Sequence, residues 1–298
     1  MNTKWTLSGG LTPLYIETIV KRITMNITIA DEIRKQMADW NKTVSVEVTE
    51  NNKQYVVKGD KRIPKGMQMD RVTSILGIID KYPLRIWAMN QALDYVKDHI
   101  NSEMPVEELI NNARQAHEQR RDDSANFGTE AHYLLEQYTN DTSIAIPRKF
   151  QPVIDSWEEW VSSSGIQIVS TEQSLYYYNP EKKIGFAGTA DVIAVDPKGN
   201  PVIVDYKTGA GIYPEHALQM SAYSLALWYC SIGNFMDVKT LSGVRAFVLR
   251  LPKEEGLETE MKEVNNLVGQ QESFIHALEL KRWQSDRGKW KRSNRRGK

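Results

Sequence analysis

Two apolar segments on either side of a short polar turn constrain the fold of this chain more than any other feature. Residues 187–195 and 201–207 are rich in Val, Ile and Ala, and the sequence Asp-Pro-Lys-Gly-Asn separates them. This pattern predicts an antiparallel β-hairpin. If the five-residue turn closes symmetrically, Asp191 faces Asp205 across the two strands, and Lys207 lies on the same side of the hairpin.

Two carboxylates that face each other destabilise a hairpin unless a positive charge compensates them. A divalent cation can do so, because Mg²⁺ binds carboxylate oxygens, keeps several water ligands and lowers the pKa of a bound water. Lys207 would then supply a compact positive charge that orients this water or stabilises charge on a phosphoryl group. The alternative is a structural ion pair between an aspartate and Lys207, and the hairpin by itself leaves both interpretations open.

The rest of the sequence predicts helices in the first half and mainly strands in the second. Apolar spacing and proline positions predict helices at residues 31–40, 72–79, 84–99, 105–121, 128–138, 150–162, 214–231 and 264–283. Alternating or apolar runs predict strands at residues 43–48, 54–58, 166–170, 175–178, 187–195, 201–207 and 244–251. This order predicts an α+β fold with a central mixed β-sheet flanked by helices and a helical N-terminal lobe.

Two of the predicted helices carry polar residues four positions apart, so each pair shares one helix face. His132 and Glu136 form the first pair, in which a neutral imidazole could bind a metal while the carboxylate orients it. Gln219 and Tyr223 form the second pair, which could hold a nucleotide through an amide and an aromatic ring. The competing interpretations are a packed histidine and a polar pair at a helix boundary.

The charges are unevenly distributed, although 38 basic residues balance 38 acidic ones. Residues 281–298 contain nine basic residues and one acidic residue, which leaves 29 basic and 37 acidic residues in the rest of the chain. Such a basic segment is either a solvated tail or a device that holds a polyanion. Nucleic acid is therefore a candidate partner of the tail, whose basic residues include Lys289, Lys291, Arg292, Arg295 and Arg296.

Cysteine content and hydropathy exclude several classes of protein. Cys230 is the only cysteine, so the chain can form no internal disulfide and no cysteine-rich zinc or iron–sulfur site. The sequence has no apolar run of the roughly 18 residues that a membrane helix needs, and its first residues lack a signal-peptide pattern. We expect a cytoplasmic protein without a membrane partner.

Four short motifs follow one another in the chain: Gly-Thr-x-x-His-x-x-x-Glu at 128–136, Gly-Thr-Ala-Asp at 188–191, Val-Asp-Tyr-Lys-Thr-Gly at 204–209 and Gln-x-x-x-Tyr at 219–223. Together they resemble the RecB-like branch of the PD-(D/E)xK nucleases. Residues 72–90 also resemble the N-terminal helical region of phage-encoded exonucleases of this group. Those exonucleases are related to CRISPR-associated single-strand exonucleases, whose iron–sulfur cysteines this chain lacks.

The resemblance implies a restriction-endonuclease-like fold and metal-dependent hydrolysis of DNA phosphodiester bonds. Asp191, Asp205 and His132 would bind Mg²⁺ or Mn²⁺. Asp191, Asp205 and Lys207 would form the catalytic set, in which Lys207 positions or activates the attacking water. Many relatives carry glutamate where this chain has Asp205. We interpret this difference as a change in side-chain length that keeps the same carboxylate chemistry.

The resemblance also implies contacts around this set. Gln219 and Tyr223 would contact DNA near the scissile phosphate. Glu172 matches a glutamate that relatives carry on the preceding strand and is, with Glu136, a supporting carboxylate. The same resemblance places the protein in a bacterial or phage-infected cytoplasm.

We expect a DNA exonuclease that acts in recombination, replication or repair. The alternatives are a structure-specific or restriction-like endonuclease and a nucleic-acid-binding module without catalysis. No nucleotide-binding loop is present, so unwinding would come from a partner such as a helicase or a recombination protein. The predicted domains are an N-terminal extension with a small hairpin (1–70), a helical lobe that carries His132 (71–164), the nuclease core (165–284) and a basic tail (285–298).

Overall fold

The computed structural model describes residues 13–49, 54–232, 234–236 and 243–285. These residues form seven α-helices and one eight-stranded mixed sheet. The helices are α1 (Pro13–Thr43), α2 (Val72–Leu76), α3 (Tyr82–His99), α4 (Val106–Asn140), α5 (Gln151–Ser164), α6 (Pro214–Ser231) and α7 (Leu267–Ser285). The strands are β1 (Ser45–Val48), β2 (Gln54–Lys58), β3 (Gln68–Arg71), β4 (Gln167–Asn179), β5 (Ile184–Val195), β6 (Pro201–Lys207), β7 (Arg245–Arg250) and β8 (Glu260–Glu263). This architecture confirms the predicted α+β, restriction-endonuclease-like fold.

The sheet divides at β5. Along one edge, β5 pairs antiparallel with β4 over its whole length, from Ile184 to Val195. The other edge is shared, because β3 pairs parallel with Phe186 and Ala187 whereas β6 pairs antiparallel from Val192 onward. We call this division the fork. The sheet continues from β3 to β2 and β1 on one side, and from β6 to β7 and β8 on the other.

The hairpin of β5 and β6 has the register that the sequence predicts. Val195 pairs with Pro201 and Val192 with Val204, so the five residues between the strands close it symmetrically. Asp196 stabilises this turn, since its Oδ1 accepts the backbone N–H groups of Lys198 at 2.8 Å and Asn200 at 2.9 Å. A short aspartate side chain that accepts local N–H groups is typical of tight turns.

Successive side chains of the central strands alternate between two hydrophobic cores, as expected for a sheet covered on both faces. Ile193, Val195 and Ile203 belong to the first core, to which α1, α2, α6 and α7 contribute. Val204 and Tyr206 belong to the second core, which α5 and the C-terminal part of α4 cover. The central strands are therefore buried on both sides, which explains their almost continuous apolar sequence.

Residues 80–126 form a helical arm outside both cores. No described residue in this range belongs to either hydrophobic cluster. α3 has no buried side chain, and within the arm α4 buries Leu109 and Ala113. The arm is therefore held mainly by packing of α3 on α4, with Arg120 contacting Gln91 between them.

Several predicted boundaries were wrong. α4 is one helix of 35 residues, although the sequence predicted two segments that stop at Arg121 and resume at Gly128. α4 continues through Gly128, which packs closely against the residue that follows β6: a Cβ at this position would lie 3.3 Å from Oγ1 of Thr208. β4 is likewise one strand of 13 residues instead of two short ones.

Other elements were underestimated or missed. α1 extends well beyond the predicted residues 31–40. The short strands β3 and β8 were not predicted, since four polar-rich residues carry too little pattern to signal a strand. The hairpin of β1 and β2 was predicted, and Ser45 pairs with Lys58 in it.

The domain boundaries stay a prediction. No helix in the described part of the chain combines the length and apolar character needed to cross a bilayer.

Candidate active site

The candidate site lies at the fork. Between Ala187 and Val192, β5 has no strand partner on the fork edge among the described residues. Gly188 is required in this gap, because a Cβ there would come within 2.7 Å of the Tyr223 ring and 3.1 Å of Val72. Glycine thus lets α6 and α2 approach the strand closely, beside the carboxylates described next.

Asp191 is a buried carboxylate with two kinds of partner. Its Oδ2 accepts the backbone N–H of Tyr206 at 2.6 Å and lies 3.4 Å from Nδ1 of His132. Burial would raise the pKa of Asp191, but the His132 imidazolium and the Lys207 ammonium outweigh it and lower that pKa. Asp191 is therefore held as a carboxylate at the wall of the gap.

Glu172 lies opposite Asp191 on β4. Thr171 pairs with Val192 and Gln173 with Ala190, which sets Glu172 across from Asp191. Its φ of 47° is in the left-handed region, which a non-glycine residue adopts at a cost of order 1 kcal/mol or more. Burial raises the pKa of Glu172 to about 7, and the nearby Asp191 adds to the shift.

His132 reaches these carboxylates from α4. Its Nδ1 lies 4.0 Å from Oε1 of Glu172, and one ligand atom from each of His132, Glu172 and Asp191 lies within 4.8 Å of the other two. Burial would lower the pKa of His132, but Asp191 outweighs this effect and raises the pKa to about 9. Two carboxylate oxygens and an imidazole nitrogen form a donor set for a divalent metal ion. The carboxylates suit Mg²⁺ or Mn²⁺, and the imidazole favours the transition metal Mn²⁺ over Mg²⁺.

Asp205 and Lys207, at the end of β6, line the other side of the gap. The ammonium of Lys207 contacts Oδ2 of Asp205. That buried oxygen accepts no hydrogen bond of ordinary geometry within the described residues. Burial raises the pKa of Asp205 even though Lys207 opposes the shift. Burial would lower the pKa of Lys207, but Asp205 and Asp191 outweigh it and raise that pKa. The Lys207 ammonium is the cationic partner of Oδ2, so a metal ion at Asp205 would share this oxygen with the lysine.

Gln219 and Tyr223 connect this side of the gap to α6. Nε2 of Gln219 donates to Oδ1 of Asp205 at 3.0 Å and lies 3.2 Å from the Tyr223 hydroxyl. Both side chains are buried. In the protein without ligands, Gln219 thus positions Asp205, and Tyr223 contacts Gln219.

The structure brings most of the predicted site residues together. Glu136 lies close enough to Glu172 to raise the pKa of that carboxyl. Tyr206 lies on the opposite face of β6 from Asp205 and Lys207, as predicted. Its hydroxyl accepts the Trp157 indole N–H at 2.6 Å, and its ring packs edge-on against His132. The predicted tail contacts lie outside the described residues, namely Lys289, Lys291, Arg292, Arg295 and Arg296.

The group of candidate metal ligands differs in one respect from the ligand set predicted from the sequence. Glu172, predicted as a supporting residue, joins His132 and Asp191, whereas Asp205 is engaged by Lys207 and Gln219. The sequence contained a signal for this arrangement, because Glu172 and Asp191 face each other once β4 is recognised as one continuous strand. The predicted break in β4 at residues 171–174 concealed that register.

A protein-family model matches the family that the four motifs resemble. The family model of the PD-(D/E)XK nuclease superfamily matches residues 91–291. No curated protein sequence matches the chain. Similar solved structures include SSO0001, which is 14% identical with a TM-score of 0.32 and aligns over 72% of this chain and 78% of that one. An alkaline exonuclease from Laribacter hongkongensis is 11% identical with a TM-score of 0.33, over 74% of this chain and 93% of that one. The structure of this exonuclease with dAMP is 12% identical with a TM-score of 0.26, over 68% and 95% of the two chains.

Proposed function

Because the chain belongs to the PD-(D/E)XK nuclease superfamily, we propose that it hydrolyses phosphodiester bonds in DNA with the help of Mg²⁺ or Mn²⁺. One observation carries this proposal: His132, Glu172 and Asp191 converge on a single point, with the Lys207–Asp205 pair beside it. A structural ion pair does not account for this convergence, since three titratable groups share the gap with Lys207. We assign the chain to the RecB-like branch on the order of its four motifs.

Each residue has a distinct part in the proposed reaction. The divalent ion, when bound, supplies positive charge against phosphate oxygens and lowers the pKa of a water molecule. Asp191, Glu172 and His132 would hold it, and Asp205 would hold Lys207 within reach of the phosphate. Lys207 donates hydrogen bonds that orient the attacking water and stabilise charge on the phosphoryl oxygens.

Asp205 has two possible uses in this scheme. Its Oδ2 lacks a hydrogen bond of ordinary geometry, which supports its predicted role as a further metal ligand. Gln219 holds the other carboxylate oxygen, so it sets the direction in which Oδ2 points. Gln219 and Tyr223 would in addition approach the DNA backbone from α6.

We further propose that the enzyme is an exonuclease of recombination, replication or repair, as the sequence resemblance implies. The helical arm supports this choice, because residues 80–126 connect α2, which packs beside Gly188, to the part of α4 that carries His132. An arm joined to the site at both ends would limit the entry of a continuous strand. An endonuclease of the same superfamily is the alternative that the test below distinguishes.

The test is a gel assay with purified protein. End-labelled linear DNA, single- and double-stranded, is incubated with Mg²⁺, Mn²⁺ or EDTA, beside Asp191→Asn and the control Glu159→Gln, which changes an exposed carboxylate on α5. Metal-dependent products are expected from wild type and Glu159→Gln, and none from Asp191→Asn. Absence of cleavage with both metals would contradict the proposed activity.

A second substrate separates the two kinds of nuclease. A covalently closed single-stranded circle should resist digestion while its linear form is degraded. Cleavage of the circle at a comparable rate would establish an endonuclease. The label that disappears first from linear DNA reports the polarity of digestion.

A further inference from the structure

His216 occupies the first turn of α6, on the same helix face as the buried pair that reaches Asp205. It precedes Gln219 by three residues and Tyr223 by seven, and residues at these spacings share a helix face. Gln219 already contacts Asp205 from this face. His216 therefore extends the row of polar side chains by about 4.5 Å along the α6 axis, from Gln219 toward the N-terminus of the helix.

The hydrogen bonds of His216 define its tautomer. The backbone N–H of Tyr213 donates to Nδ1 of His216 at 3.2 Å. Because a backbone N–H can only donate, Nδ1 is an acceptor, and a neutral ring must carry its proton on Nε2. Among the described residues, no group accepts a hydrogen bond from Nε2.

The surroundings keep this imidazole neutral. Burial and the Lys207 ammonium lower the pKa of His216 to about 4, with Lys81 adding to the effect and Glu215 opposing it. Glu215 and Lys81 are themselves 3.6 Å apart. The residue is half-buried, so part of the side chain is open to solvent.

We infer that His216 is a substrate-contact residue, whose Nε2–H donates a hydrogen bond to a non-bridging oxygen of the phosphate next to the scissile one. This inference rests on the proposed nuclease function. Lys207 and the carboxylates define the position of the scissile phosphate, and His216 lies one helical turn farther out on α6. Anionic oxygen is the acceptor that this end of α6 favours, because the helix dipole adds positive potential there.

A neutral donor suits this position better than a second cation. Lys207 lies close enough to His216 to lower its pKa, so a charged group at 216 would repel the lysine. A neutral N–H attracts a phosphate oxygen without this repulsion. The contact would fix the position of the DNA strand along α6. Its loss should therefore raise KM more than it lowers kcat.

The variants His216→Gln and His216→Ala separate this role from helix capping. Glutamine at the third helical position can accept the N-cap N–H and still present an amide donor. Alanine removes both functions. The control is His276→Ala, which removes an exposed histidine from α7 outside the site. We expect roughly a tenfold rise in KM for His216→Ala, the size of a hydrogen bond to a charged group, with recovery in His216→Gln and no change in His276→Ala.

A modified substrate locates the contact. An oligonucleotide with one methylphosphonate next to the scissile bond has lost the charged oxygen at that position. This substitution should raise KM for wild type and add nothing further for His216→Ala. Effects that multiply independently would overturn the inference, as would an equal KM defect in both His216 variants. Absence of any cleavage by wild type would instead contradict the proposed function.

Discussion

At the scale of single residues, the ionised form of Glu172 is destabilised by its surroundings in the metal-free protein. Its pKa is raised to about 7 by burial and by Asp191, so the folded state binds a proton more tightly than the unfolded state. Stability must then fall as pH rises from the ordinary glutamate value of about 4.5 through 7. We predict that Glu172→Gln in EDTA raises the melting temperature at pH 8 and leaves it nearly unchanged at pH 4. An equal shift at both pH values would contradict this account of Glu172.

His132 makes the proposed metal binding dependent on pH. Its pKa of about 9 means that the imidazole is protonated at neutral pH without a metal, whereas a ligand must be neutral. We predict that Mn²⁺ affinity rises by up to about tenfold per pH unit between pH 7.5 and 9. Calorimetry in two buffers of different ionisation enthalpy should detect the released proton, and His132→Ala should release less. Binding without proton release at pH 7.5 would show that His132 is not a ligand.

At the scale of secondary-structure elements, Gly188 determines how closely α6 packs on β5. An added methyl group would lie 2.7 Å from the ring of Tyr223, which is buried. We predict that Gly188→Ala destabilises the fold by about 1–3 kcal/mol, the usual range for overpacking. It should also reduce cleavage, because Tyr223 contacts Gln219. Gly209→Ala is the control for stability, since nothing lies within 4 Å of its Cβ position.

The helical arm should be separable from the rest of the fold. No described residue between 80 and 126 belongs to either hydrophobic core. We predict that replacing residues 83–120 with a short Gly/Ser linker leaves one cooperative thermal transition, with a melting temperature close to that of wild type. Thermal denaturation followed by circular dichroism measures this. A loss of cooperativity would show that the arm contributes to the cores after all.

At the scale of the whole molecule, local pattern predicted the central hairpin well and the longer elements less well. The β5–β6 register follows from a symmetric turn that Asp196 stabilises through local contacts, so neighbouring residues contain the information. β4 is paired with β5 along its whole length, and such pairing with a later strand is not contained in the local sequence of β4. The sequence of α4 includes a glycine and a highly charged stretch, which hid its continuity. Residue pattern could therefore predict the facing aspartates, but not that Glu172 would join Asp191 and His132.

The basic tail gives a prediction about binding by the entire chain. Residues 286–298 lie outside the described structure, and they include seven basic residues and one acidic residue. Phosphate contacts by such residues release counterions, so affinity falls steeply with salt. We predict that truncation after Ser285, which retains the contact of Lys281 with Asp70, weakens DNA binding at low salt and flattens its salt dependence. Fluorescence anisotropy across a salt series measures both quantities, and unchanged curves would exclude the tail from binding.

The fork has a consequence for how proteins of this architecture can diversify. β3 ends at the gap that holds the candidate site, and the chain does not return to the sheet until β4 begins at Gln167. Within that segment, residues 80–126 belong to neither hydrophobic core, whereas His132 and the helices that pack on the sheet lie outside this range. Insertions or deletions confined to the arm can thus change the surroundings of the site while the strand pairing and the clustered carboxylates are kept.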